Sequence, residues 1–187
     1  MRPACAGPKR ISMANWILTT FRIVLGRARP RDLQASSVSL LQAAGLYLLV
    51  SISEAAQVLH TEHSWIVGLV DLSYTVAATL VCLGLRRRMH RLAQTLIAML
   101  GCGAWLTLPS LAAHAAFGGR GPNGDSLPLP LTVEILLGAV LGWSILTVAR
   151  ILGAAMDVES RTGWTVALTF MLADYLVLLA LPAEFTR

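Results

Sequence analysis

Four carboxylates stand inside apolar stretches of this chain: Glu54, Asp71, Glu134 and Asp174. A charge at the centre of a hydrocarbon layer costs roughly 2.5 to 3.5 kcal/mol on insertion scales, so each of them needs a physical reason to be there. Carboxyl groups in low dielectric can exchange protons near neutral pH, the basis of proton relays and cation sites. Ser53, Gln57, Ser73 and Tyr74 are close in sequence, so one expectation is a polar cavity shared by the four acids. The plainer alternative is that Glu54 and Glu134, near the ends of their apolar runs, reach water.

The remaining reactive side chains point to no chemistry. Cys82 and Cys102 fall inside apolar runs, where a thiol packs as a small hydrophobe, and with Cys5 they make an odd number without zinc spacing. His60 and His63 flank Glu62, and His114 would stand on the same side, but one His-x-x-His pair lacks the three or four rigid ligands a metal site requires. No Gly-rich phosphate loop, Ser-x-x-Lys, His-Glu-x-x-His or Gly-x-Ser-x-Gly occurs. Hence no catalytic residue, metal or cofactor is expected.

The 15 basic residues outnumber the 10 acidic ones, and all but Lys9 are arginine. A pI near 9.7 would suit nucleic acid, but the arginines form short clusters between apolar runs, the pattern of membrane topology. Arg22, Arg27, Arg29 and Arg31, then Arg86, Arg87, Arg88 and Arg91, are the expected lipid-headgroup contacts. Arg150, at the end of an apolar run, can extend its guanidinium to the same headgroups. Nucleic acid is not an expected partner.

These residues must be positioned by helices in a bilayer. With 56% hydrophobic and 13% charged residues and a mean hydropathy of +0.66, the chain has too much apolar surface to hide in water. Crossing about 30 Å of hydrocarbon takes about 20 helical residues. Five runs meet that length, about 38–59, 65–85, 92–117, 131–152 and 164–181, so an all-α polytopic bundle is expected over residues 36–187. Pro109 is expected to kink the third, and the Gly- and Pro-rich stretch 118–130 is the longest loop.

Residues 1–35 read as a basic cytoplasmic leader carrying an interfacial helix at about 13–28. Met13, Ile17, Phe21, Val24 and Leu25 recur there at helical spacing, with Arg22 and Arg27 off the stripe. Arg22 interrupts the apolar stretch and arginines follow it, which argues against a cleaved signal, and Met13 is a second candidate start. Of the basic residues only Arg120 and Arg187 fall on the opposite flank, so the N-terminus is expected in the cytoplasm and the C-terminus outside. All four acids then lie in the outer half of the layer. Gly138 with Gly142, and Gly101 and Gly103 with Ala98 and Ala104, offer smooth faces for packing within the chain or against a second copy.

The segment Phe21-Arg22-Ile23-Val24-Leu25-Gly26-Arg27-Ala28-Arg29-Pro30, followed by Leu33 and an apolar hairpin, resembles the start of bacterial members of the Yip family of five-span membrane proteins. The acidic-Leu-Tyr-Gly-Pro signature of the eukaryotic members is absent. The resemblance implies a non-enzymatic protein of the bacterial inner membrane, acting in membrane organisation or assembly through lipids, other membrane proteins or itself. It transfers no catalytic residue. The other function the residues suggest is a small proton- or cation-translocating transporter or channel subunit that uses the intramembrane carboxylates.

Overall fold

The computed structural model describes residues 13–59, 63–118 and 129–181. Cys5, His60, Glu62, Arg120, most of the 118–130 loop and the tail beyond Leu181 lie outside the described residues. Among the described residues there are six α-helices: α1 (Met13–Val24), α2 (Ser37–Leu59), α3 (Ser64–Leu85), α4 (Leu92–Phe117), α5 (Leu131–Met156) and α6 (Ser160–Leu179). There is no strand among the described residues. The last five helices are long and apolar enough to cross a membrane, so the chain is an all-α multi-pass membrane protein.

The spans agree with the apolar runs except around the last connection. There α5 runs on to Met156 and α6 begins at Ser160. Hydropathy fades before a helix ends, because backbone hydrogen bonding continues through polar residues. What stops α5 is Asp157, which adopts the left-handed conformation at φ 53. Helix α4 continues through Pro109.

Helix α4 is the axis of the bundle. Every residue from Thr95 to Cys102 is buried, and two full turns without an exposed position mean that neighbours enclose the helix on all sides. Those neighbours are α1, α2, α3 and α5. The buried threonines return their hydroxyls to their own helices: Thr95 donates to the Arg91 carbonyl at 2.8 Å and Thr79 to the Thr75 carbonyl at 2.7 Å. The core therefore tolerates them.

Helix α1 is packed into this bundle, and on a different stripe from the one expected to lie in lipid. Trp16, Thr20, Ile23 and Val24 are the buried positions, whereas Phe21 and Leu25 are exposed. Gly101 makes the approach possible, since a Cβ there would come within 2.6 Å of Thr20 Cγ2. Trp16 Nε1 donates to Gln42 Oε1 of α2, and Trp143 Nε1 of α5 donates to the Val24 carbonyl, both at 2.8 Å. Helix α1 stops at Val24, short of residue 28. Gly26 turns the chain at φ +71, and the Arg150 guanidinium packs over it.

One end of the bundle gathers the arginines. Arg88 and Arg91 pair with Asp157 at 3.1 and 2.9 Å, and Arg91 Nη1 also donates to the Ala154 carbonyl at 3.0 Å, satisfying an orphan acceptor at the end of α5. Gln94 Nε2 donates to the Leu33 carbonyl at 2.8 Å. The segment before α2, the α3–α4 connection and the α5–α6 connection are thus tied at the same end. Arg88 and Arg91, expected as headgroup contacts, spend charge inside the protein; Arg22, Arg27, Arg29, Arg31, Arg86 and Arg87 are exposed. The hydrogen bond from Arg91, with the charges of Arg91, Arg88 and His90, holds the Asp157 carboxyl below its usual range.

Candidate functional site

The helices part around a cavity of about 770 Å³ that reaches from the middle of the bundle toward the end away from the arginines. Helix α2 presents Tyr47, Ser51, Glu54 and Val58 to it, at spacings of four, three and four that keep one face of a helix. Helix α3 adds Asp71 and Thr75, α4 adds Thr107 and Ser110, and α6 adds Phe170, Asp174 and Tyr175. Helix α5 supplies a mostly apolar wall, including Val140, Leu141 and Val148.

Asp71 is held in place by the hairpin of α2 and α3. Tyr47 Oη donates to its Oδ1 at 3.0 Å and Ser51 Oγ to its Oδ2 at 2.8 Å. Tyr47 can lie flat on α4 only because Gly103 has no side chain: a Cβ there would meet Tyr47 Cε2 at 2.6 Å. At the hairpin crossing, Gly68 admits Ile52, whose Cγ1 would stand 2.6 Å from a Cβ. Two glycines on different helices therefore position one carboxylate.

Asp174 differs from it. Its Oδ1 is buried and has no hydrogen-bond partner among the described residues. Gln57 Oε1 and Trp105 Nε1 are in the same condition among the described residues, and of the three only Asp174 lines the cavity. Tyr74 approaches α6 nearby, donating to the Phe170 carbonyl at 2.6 Å with its ring edge-on to that of Phe170, centroids 5.2 Å apart. Glu54, the third acid, faces Ser110 and lies near His114, whose Nδ1 is 2.9 Å from the Ser110 carbonyl oxygen.

Three of the four expected acids thus line one cavity. Glu134 does not: it is exposed in the first turn of α5 and faces away. Of the polar neighbours singled out by sequence proximity, Ser53 returns its hydroxyl to the Leu49 carbonyl, and Gln57 and Ser73 are not on the cavity wall. The partners that matter, Tyr47 and Ser51, lie two turns and one turn before Glu54. A search along the helix face of Glu54, rather than among its sequence neighbours, would have found them.

Among the described residues, no arginine or lysine lines the cavity. Among the described residues, no three His, Cys, Asp or Glu side chains are grouped so that they could hold a metal ion. Of the glycines, Gly138 and Gly142 meet nothing within 4 Å among the described residues, whereas Gly101 and Gly103 pack against Thr20 and Tyr47. Comparison with protein-family models, with curated proteins and with solved structures finds no match to this chain.

Proposed function

We propose that this protein passes protons or cations across a membrane, with Glu54, Asp71 and Asp174 as the groups that bind them. The observation that carries this reading is one cavity lined by three carboxylates from three different helices, with no arginine or lysine on its wall among the described residues. Carboxylates that no Lys or Arg on the cavity wall neutralises attract positive charge, and the low dielectric around them strengthens that attraction. The division of labour follows from the hydrogen bonds. Asp71, already accepting from Tyr47 and Ser51, sets the potential of the site, and the open oxygen of Asp174 receives the charge. Met99 and Ile151 are the lining residues nearest the arginine end.

The arginine end faces the cytoplasm in this reading, following the positive-inside rule, with the cavity in the outer half of a bacterial inner membrane and the C-terminus outside. The test is ion flux in vesicles reconstituted with the protein, followed by an entrapped pH-sensitive dye. Wild type is expected to dissipate a pH gradient and the Asp71→Asn, Asp174→Asn double variant to fail. Absence of flux in both removes transport.

A second reading, membrane organisation through lipids or membrane proteins as the Yip resemblance implies, is supported by the outward-facing Gly138 and Gly142 and by the exposed arginines at one end. Crosslinking through a cysteine at Gly142 in native membranes tests it; recovery of monomer alone removes it.

A further inference from the structure

We infer that the cavity takes an organic monocation with an apolar body, in preference to a bare metal ion; this rests on the cavity being the cation site proposed above. Volume is the first argument. About 770 Å³ is in the range of sites for drug-sized molecules, of order 300 to 1,000 Å³, and far exceeds an ion with its ligands. The second is the distribution of the walls. Carboxylates come from α2, α3 and α6, and the α5 face opposite is mostly apolar, so a molecule with a charge at one side and carbon at the other fits both.

Aromatic rings give the third argument. Tyr47, Phe170 and Tyr175 all line the cavity, and ring faces beside carboxylates are the chemistry that recognises substituted ammonium and phosphonium groups. The mouth supplies the fourth. Leu141, Tyr175 and Leu179 line the cavity while being 54%, 59% and 62% exposed, so the opening is framed by leucine and tyrosine on α5 and α6. A hydrated ion gains nothing from such a rim, and a lipid-soluble cation partitions through it. Finally, the carboxylates are not grouped as metal ligands.

The experiment titrates the full chain, in lipid nanodiscs, with tetraphenylphosphonium and separately with uncharged triphenylphosphine oxide. Saturable binding of the cation is expected, with the neutral compound weaker by about tenfold or more. Asp174→Asn is expected to weaken the cation by about tenfold, Tyr175→Leu by about threefold, and Glu134→Gln, outside the cavity, not at all. A monodisperse size-exclusion profile qualifies each variant. If Asp174→Asn does not fold, the comparison of charged and neutral compounds on wild type decides alone. Equal binding of the two compounds, or no saturable cation binding, overturns the inference. If the pH gradient is still dissipated by wild type and not by the double variant, only the occupant is wrong; if neither flux nor binding is seen, the cation site itself is wrong.

Discussion

Asp71 and Asp174 share one cavity but not one condition: Asp71 accepts hydrogen bonds from Tyr47 and Ser51, whereas Asp174 keeps a buried oxygen without a partner among the described residues. The first is built into the α2–α3 hairpin. The second is available.

That difference separates stability from function. Asp71→Ala strands two hydroxyl donors, and an unsatisfied buried polar group costs about 1 to 3 kcal/mol. Asp174→Ala removes an atom that had no partner. The Asp71 variant is expected to unfold at a lower temperature in detergent than wild type and the Asp174 variant close to it, with flux lost in both. Equal thermal losses would show that the hydrogen bonds on Asp71 do not hold the hairpin.

The glycines divide in the same way. Gly103→Ala places a Cβ 2.6 Å from the Tyr47 ring and must push that ring off α4, lengthening its bond to Asp71. Gly138→Ala meets nothing within 4 Å and adds helix propensity of up to about 1 kcal/mol. Thermal unfolding is expected to show loss at 103 and no loss at 138. Destabilisation at 138 would mean that the open face is covered in the membrane by another chain.

At the other end, Asp157 links two connections through Arg88 and Arg91. The hydrogen bond from Arg91 and the nearby positive charges lower its folded pKa. The folded protein therefore binds this proton more weakly than the unfolded chain does. The contribution is complete above the ordinary carboxylate value of about 4 and disappears as pH falls through the lower folded value. Asp157→Asn is expected to lower the unfolding temperature slightly at pH 7 and to show a shallower fall below about pH 4 than wild type. Superimposable profiles would show that the pairs contribute nothing.

Orientation has a direct measurement. In single-cysteine variants, Arg87→Cys and Glu159→Cys are expected to react with an impermeant maleimide only after the membrane is opened, and Leu131→Cys in intact cells. Labelling of Arg87→Cys and Leu131→Cys from one side would contradict the five-span map.

Much of this architecture was legible along the chain, because an apolar run of about 20 residues in lipid must close its own backbone hydrogen bonds and has only the helix to do it with. Span number and the clustering of arginines follow from that local rule. The docking of α1 did not follow, since its Ile17–Phe21 stripe and its Trp16–Thr20–Ile23 stripe are both apolar enough, and only Gly101 on α4, 81 positions from Thr20, selects between them.

The same holds for the carboxylates. Their presence in hydrocarbon was a property of the sequence, but whether they converge depends on the rotation of each helix about its own axis, and in lipid no contrast between water and oil fixes that rotation. Close packing fixes it here. Gly103 under Tyr47 and Gly68 under Ile52 turn α2 and α3 so that Glu54 and Asp71 face the cavity, Asp174 joins them from α6, and Glu134, as near the end of its run as Glu54, is left outside.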